Sequence, residues 1–256
     1  MIISPSFPYF LYIKVSLHWG LVLRRILLSK SRPALDFIPP TTMIGALSYP
    51  LSKILGGLSE NAFIAGSEVS RSEAFKQLFF SLNATKVEGE LHSDIQKIYF
   101  YDKRRREAKS DAVALEKLYG PSEVELVYLI NNKAAREILG DDWLNLLRAA
   151  AWGIVRIGQK ESLASVEFVD MDVAVPCELR ETRFYFLSKH ARPVSGSWHM
   201  REIVDWTEAL IGDYSKAPKA VLFIPDGLIT VELTGQGAIY KIGDYGCIVG
   251  PKVQGV

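Results

Sequence analysis

The sequence predicts an α+β protein with a mixed N-terminal part and a β-rich C-terminal part. Apolar and polar residues alternate over 10–18, which is typical of a strand with one buried face. Apolar residues at helical spacing over 43–55 predict a helix. After residue 163, short apolar runs separated by glycine-containing turns predict a series of strands. We place the two parts at 1–160 and 161–256, where helix gives way to strand.

With 256 residues, of which 48% are hydrophobic and 23% charged, the chain can bury a substantial core. Its formal net charge of +1 means that any polyanion site must come from a local cluster of cations. Cys177 and Cys247 form no CxxC pair, so we expect free buried thiols in a reducing cytoplasm. No apolar run is long enough to span a bilayer, and the N-terminus lacks a basic start, so we expect a soluble, untargeted, cytoplasmic protein without membrane contact.

The predicted first strand has one apolar and one polar face. The apolar face, which is expected to lie on the core, consists of Leu11, Ile13, Val15 and Leu17. The polar face consists of Tyr12, Lys14, Ser16 and His18. An aromatic ring, a cation and an imidazole suit contact with RNA, although a solvated sheet face carries the same residue types.

A basic segment follows the first strand. Residues 20–38 contain no acidic residue before Asp36. The cations of this segment are Arg24, Arg25, Lys30 and Arg32. This clustering predicts a loop that binds the phosphates of a polyanion, with a solvated basic loop as the alternative.

The basic segment leads into the sequence PPTTMIGAL, in which two prolines fix an extended approach to the helix. We expect the hydroxyls of Thr41 and Thr42 to cap this helix, whose apolar run ends before Gly56. A helix start that is held next to cations suits a phosphate. The alternative is a strand-to-helix connector that binds no anion, which would have the same prolines and threonines.

The middle of the chain predicts an inserted β-hairpin near 79–104, with strands at Phe79–Val87 and Ile95–Tyr101. It ends in a basic run that contains Arg104, Arg105 and Arg106. This run is either a solvated face or an arm that grips backbone phosphates. The elements expected after it are a central strand at Val124–Ile130 and helices at Lys133–Leu139 and Asp141–Trp152.

The sequence GIVRIGQKES brackets Arg156 with glycines and places Lys160 shortly after it. Its glycine spacing fits neither a Walker A loop nor a dinucleotide-binding fingerprint. A short glycine loop with free N–H groups and two cations still suits a phosphate or an RNA backbone. Pairing of a loop cation with Glu161 would make the loop structural instead.

The strands expected in the C-terminal part are Leu163–Val175, Arg180–Leu187, Ala220–Ile224, Leu228–Leu233, Ala238–Ile242 and Cys247–Val249. Between them, Ser195–Asp213 is expected to form a helix or loop on the sheet. The histidines lack HxxxH or HExxH spacing and Gly-x-Ser-x-Gly is absent, so we expect no metal, cofactor or hydrolase site. One enzymatic set remains, because Tyr12, Lys14 and His18 on one strand face suit metal-free RNA cleavage.

Together, the first strand, the basic segment, PPTTMIGAL and GIVRIGQKES resemble the RAMP-type CRISPR-associated subunit of the fifth-numbered Cas family. This subunit caps the 5′ handle of the guide RNA in Cascade, and the chain is most similar to the archaeal type I-A branch. The match spans most of the chain, although the C-terminal third matches only in character. The resemblance implies a ferredoxin-like (RRM-like) β-α-β-β-α-β RAMP domain, with the hairpin near 79–104 as a protruding thumb.

The resemblance also implies a non-catalytic, structural role in antiviral defence. The subunit would hold the guide RNA (crRNA), contact the backbone RAMP subunit and the large subunit, and reach target DNA only through the complex. In the type I-C branch the same fold is itself a ribonuclease, so metal-independent processing of repeat RNA is the alternative. The residues expected to bind RNA are Lys14, His18, Arg24, Arg25, Lys30, Arg32, Thr41, Thr42, Arg104, Arg105, Arg106, Arg156 and Lys160.

Overall fold

The computed structural model describes residues 7–23, 31–32, 34–57, 59, 61–64, 67–102, 106–159, 162–211, 214 and 217–253. The helices are α1 (Pro40–Ile54), α2 (Arg71–Lys76), α3 (Asn132–Leu139) and α4 (Trp143–Trp152). The first nine strands are β1 (Tyr9–Leu17), β2 (Ser31–Arg32), β3 (Asn61–Ile64), β4 (Ser67–Ser70), β5 (Phe79–Ala84), β6 (Glu90–Asp102), β7 (Glu107–Tyr119), β8 (Ser122–Ile130) and β9 (Ala164–Val173). The remaining strands are β10 (Val175–Pro176), β11 (Glu181–Thr182), β12 (Phe186–Leu187), β13 (Ala191–Ser195), β14 (Trp198–Val204), β15 (Lys219–Pro225), β16 (Ile229–Leu233), β17 (Gly237–Lys241) and β18 (Cys247–Pro251).

A four-stranded antiparallel sheet, in the order β5-β8-β1-β9, lies at the centre of the N-terminal part. Along the chain its elements follow the order β1, α1, β5, β8, α3 with α4, and β9. The apolar face predicted for the first strand is fully buried, because α1 packs its own apolar stripe against the same core. That stripe includes Met43, Ile44, Leu47 and Leu51. The protein is of the α+β class, as predicted.

The opposite face of β1 is only partly accessible, contrary to the sequence-based expectation. Phe10 and Tyr12 are buried because the C-terminal part packs over this end of the strand. The residues that it contributes to the shared cluster include Phe184, Tyr240, Ile242 and Ile248. The accessible end of this face carries Lys14, Ser16 and His18.

Helix α1 begins at Pro40, so Thr41 and Thr42 lie in its first turn rather than at its cap. The N–H groups of Thr42 and Met43 donate to the carbonyl of Pro39 at 2.9 and 3.1 Å, and no side chain caps the helix. The expectation that the threonines cap α1 is therefore wrong. A proline at the first helical position has the φ angle that a helix needs and has no N–H group to satisfy. No helix within the described ranges is both long and apolar enough to cross a bilayer.

The inserted hairpin consists of β6 and β7, which pair along their whole length. In the sequence it lies between β5 and β8. The bounds predicted for it, near 79–104, are wrong because Phe79–Ala84 is an edge strand of the central sheet. The basic run separates the two hairpin strands instead of following them, and its one described residue is Arg106, with φ 53°. The charged residues of β7 do not follow a regular two-residue period, because an apolar run at 112–115 is followed by the consecutive charges Glu116 and Lys117, which hid this strand in the sequence.

The C-terminal part consists of small three-stranded sheets, in the orders β10-β17-β18, β11-β16-β13 and β12-β15-β14. Strand β14 pairs with β15 from Trp198 to Val204, so the helix or loop expected for Ser195–Asp213 is wrong over this range. The charged residues His199, Arg201 and Glu202 obscured the strand, although they occupy regular positions in its ladder. Long-range pairing here decides the structure, since the local sequence has no clear period.

Cys177 and Cys247 form a disulfide, with their Cα atoms 6.5 Å apart. The expectation of two free thiols is therefore wrong. The N–H of Cys177 donates to the carbonyl of Ile239 at 3.0 Å, which holds this cysteine beside the β17–β18 pair. Sheet pairing thus brings together two cysteines that are 70 residues apart in the sequence, a proximity that spacing alone does not reveal.

Candidate nucleic-acid interface

The structure brings PPTTMIGAL and GIVRIGQKES together around a groove of about 270 Å³. One wall is a stripe of α1 with helical i, i+3, i+4, i+7 spacing. The residues of this stripe are Thr42, Gly45, Ala46 and Tyr49. The opposite wall consists of Val155, Arg156 and Gly158, and Pro50 completes the lining. Among the described residues of the lining, Arg156 is the one charged residue and none is acidic, so this part of the groove offers a cation and polar groups to an anion.

The loop that carries Arg156 is held by backbone pairing. Residues 155–157 lie antiparallel to 162–164, with hydrogen bonds from Ala164 N to Val155 O (3.0 Å) and from Ile157 N to Ser162 O (3.1 Å). The buried Ser162 hydroxyl accepts a hydrogen bond from Val22 N at 2.8 Å. The loop is therefore fixed to Val22, which lies in the basic segment, two residues before Arg24 in the sequence.

Gly158, at the end of the 155–158 loop, packs tightly against Val22 and Leu23. Its φ is +95°, and a Cβ atom there would lie 2.4 Å from Leu23 Cδ2 and 3.1 Å from Val22 O. We expect Gly158→Ala to lower the free energy of unfolding by roughly 1–3 kcal/mol, because the change adds both backbone strain and a clash. Urea denaturation measures this loss.

Gly227→Ala is the matched control, since a Cβ atom at Gly227 meets nothing within 4 Å and its φ is not in the left-handed region. A Gly158→Ala protein as stable as Gly227→Ala would show that the loop does not need this close contact.

Arg156 and Tyr49 provide the accessible functional groups of the groove. The Arg156 guanidinium is exposed and makes no ion pair or hydrogen bond with another described residue. Tyr49 is 48% exposed, and Lys53 Nζ lies 5.6 Å from the centre of its ring. An aromatic face next to two cations is the combination that single-stranded nucleic acid binds.

On the accessible end of β1, Lys14 is already engaged by carboxylates. Its Nζ lies 2.7 Å from Glu123, and the hydrogen bond to Glu123 raises the pKa of Lys14. The neighbouring charge of Glu125 acts in the same direction. His18 lies exposed on the same face, with Nε2 2.7 Å from the hydroxyl of Ser165. Lys14 keeps its charge, but the nearby carboxylates offset the positive potential that it presents to a phosphate, whereas Arg156 has no carboxylate partner among the described residues.

The predicted cleavage set of Tyr12, Lys14 and His18 is not assembled. Tyr12 is 4% exposed and stacks on Tyr245, with the ring centres 4.0 Å apart. Burial, with a further contribution from Glu125, raises the pKa of Tyr12. His18 is four residues beyond Lys14, which is about 13 Å along a strand. The structure therefore does not bring these three groups around one scissile phosphate.

The other predicted contact residues are distributed as follows. Arg24, Arg25, Lys30, Arg104, Arg105 and Lys160 lie outside the described residues. Arg32 is in β2, which pairs with β7, and Arg106 is exposed between the hairpin strands. Thr42 lines the groove, whereas Thr41 does not. In the described part of the chain, no group of three or more His, Cys, Asp or Glu side chains is arranged to hold a metal ion.

Sequence reasoning missed Gly45, Tyr49 and Lys53. The available signal was the stripe of α1 that lies away from its apolar core residues, where small side chains end at one tyrosine. That stripe gains a function only through the facing loop, which comes from more than 100 residues further along the chain.

No family model matches the chain. Two curated proteins of the archaeon Saccharolobus solfataricus are similar to it. One, described as CRISPR system aCascade subunit Cas5 1, is 32% identical over 185 residues, which cover 69% of this chain and 72% of that protein. The other, CRISPR-associated protein Cas5 3, is 31% identical over 188 residues, with the same coverage. The crystal structure of a CRISPR protein from Archaeoglobus fulgidus has the same fold, with a TM-score of 0.59 at 16% identity over 95% of this chain and 99% of that chain.

Proposed function

The chain belongs to the Cas5 family of CRISPR-associated proteins, and on this basis we propose that it is a non-catalytic RNA-binding subunit of a type I-A interference complex. In this role it holds the 5′ handle of the guide RNA. The N-terminal part then serves as a ferredoxin-like (RRM-like) RAMP domain. The strand order β5-β8-β1-β9 and the alternation of strands and helices support this assignment.

The observation that carries the proposal is the cationic groove between α1 and the 155–158 loop. Arg156 lies there without a carboxylate partner among the described residues, and the loop is pinned to Val22. Arg24 and Arg25, which lie outside the described residues, follow within a few residues of Val22 in the sequence, and we propose that they bind the same RNA. Phosphate contacts of this kind supply most of the affinity of a protein for a nucleic-acid backbone.

The proposed partners follow from the family. A relative that is named as an aCascade subunit works within a multisubunit assembly, and we assign this chain the backbone RAMP subunit and the large subunit as neighbours. The long β6–β7 hairpin is the proposed thumb, because it is inserted in the sequence between the paired strands β5 and β8 but belongs to a separate sheet. Target DNA is reached through the complex rather than by this chain alone.

Charge reversal at Arg24 and Arg25 tests the RNA-binding role. We expect the R24E/R25E protein to bind guide RNA at least about tenfold more weakly at 0.15 M salt, and with a shallower salt dependence, because two phosphate contacts are lost. Fluorescence anisotropy with the RNA that co-purifies with the wild-type chain measures both quantities.

The matched control reverses Arg192 and Lys241, which are exposed in the C-terminal part away from the groove. Equal affinity of R24E/R25E and this control would contradict the proposed site. Cleavage of repeat RNA by the wild-type chain in EDTA, abolished by His18→Ala, would contradict the non-catalytic role.

A further inference from the structure

We propose that the groove between α1 and the 155–158 loop takes a single unpaired nucleobase, which stacks on Tyr49. This inference rests on the proposed function and specifies what the site recognises. The groove then binds a base as well as the phosphate backbone of the RNA. Three features support this assignment: the missing side chain at Gly45, the Tyr49 ring beside Lys53, and the size of the cavity.

Gly45 has no structural reason to be glycine. A Cβ atom at this position would meet nothing within 4 Å, and its φ is not in the left-handed region. A glycine in the interior of a helix is less favourable than alanine, so the fold alone would prefer a side chain here. The missing side chain keeps the floor of the groove flat between Thr42 and Tyr49. A flat floor of this kind admits a planar ring.

Tyr49 provides the stacking surface. Nearly half of Tyr49 is accessible at the end of the small-residue stripe, so its ring can be reached from the groove. Lys53, one turn further along α1, holds its ammonium 5.6 Å from the ring centre. A base that stacks on Tyr49 therefore brings its own phosphate close to a cation. Every base has a π-face, so this contact favours unpaired RNA of any sequence.

The size of the cavity limits the occupant. About 270 Å³ lies just below the range of roughly 300–1,000 Å³ that is usual for drug-sized ligands. One base fills such a space, whereas a duplex or a folded peptide element does not enter it. Arg156, on the opposite wall, can cover the second face of the base or pair with its phosphate.

The test uses the full-length chain and single-stranded RNA octamers of mixed sequence that carry 2-aminopurine at each position in turn. We expect binding to the wild type to quench the fluorescence of 2-aminopurine, because stacking on an aromatic ring quenches this base. Tyr49→Leu should remove the quenching and weaken binding about tenfold, whereas Tyr49→Phe should retain both. Trp19→Leu is the matched control, since Trp19 is an exposed aromatic residue that does not line the groove.

Gly45→Leu separates recognition from folding. The leucine fills the groove and improves the helix propensity of α1, so we expect a melting temperature at or above that of the wild type together with lost quenching. An octamer that binds the wild type, Tyr49→Leu and Gly45→Leu equally well would overturn the base pocket while leaving RNA binding intact. A wild-type chain that binds no octamer would overturn the proposed function as well. Displacement of bound RNA by a partner subunit that protects Tyr49 from solvent would assign the groove to protein instead.

Discussion

Replacing Asn83 with leucine is expected to lower the free energy of unfolding by about 4 kcal/mol. Asn83 is fully buried in β5. Its side-chain nitrogen donates to the carbonyls of Tyr185 and Val249, each at 2.9 Å, and its oxygen accepts from the Ser81 hydroxyl at 2.8 Å. One amide therefore satisfies groups from the central sheet and from two segments of the C-terminal part.

The expected loss comes from the partners that leucine leaves behind. The carbonyls of Tyr185 and Val249 would lose their Asn83 hydrogen bonds in a region without access to water, at a cost of roughly 1–3 kcal/mol each. Ser81 compensates poorly, because its hydroxyl is 3.5 Å from the Val249 carbonyl. Leucine has the same number and branching of side-chain heavy atoms as asparagine and is somewhat larger, so the expected loss does not come from a cavity. The amide thus fixes how β5 docks on the C-terminal part.

Urea denaturation of Asn83→Leu measures this loss, and Asn145→Leu is the control. Asn145 lies exposed on α4 and bonds only locally, to Asp142 at 2.6 Å, so its replacement should change stability by less than about 0.5 kcal/mol. If both variants unfolded at the same urea concentration, the buried amide would not be what joins the two parts.

Local periodicity accounts for the parts of the fold that could be predicted. The buried face of β1, the apolar stripe of α1 and strand β8 all show a period in a single segment. The burial of Tyr12 depends on Tyr245, more than 200 residues away in the sequence, and the ladder of β14 depends on β15. Such pairings leave little trace in the local pattern, so these predictions failed.

The residues of the candidate site also differ in whether the local sequence could identify them. Arg156 and Thr42 could be identified because arginine between glycines and a polar helix start suggest an anion by residue type alone. Gly45 and Tyr49 acquire meaning only when α1 and the 155–158 loop face each other. Lys14 was selected by residue type too, but its ion pair with Glu123 emerged only from the pairing of β1 with β8.

Removing the disulfide is expected to lower the free energy of unfolding about as much as Asn83→Leu does. We predict that the Cys177→Ala/Cys247→Ala protein loses about 4 kcal/mol of unfolding free energy, because the cross-link closes a long loop and so restricts the unfolded chain. The cysteines are 70 residues apart, and the loop between them contains most of the C-terminal strands. Loss of the cross-link should therefore weaken the C-terminal part as a unit.

Reduction of the wild type separates the cross-link from side-chain packing. Cys247 is 6% exposed in a cluster with Phe186, Ile239 and Val249, so its replacement by alanine also removes buried volume. Reduced wild type keeps both sulfur atoms, and we expect it to unfold at a urea concentration close to that of the double variant, well below that of the oxidised protein. Equal midpoints for reduced and oxidised wild type would mean that sheet pairing alone holds the C-terminal part together. In that case the loss in the double variant would measure only the cavity at Cys247.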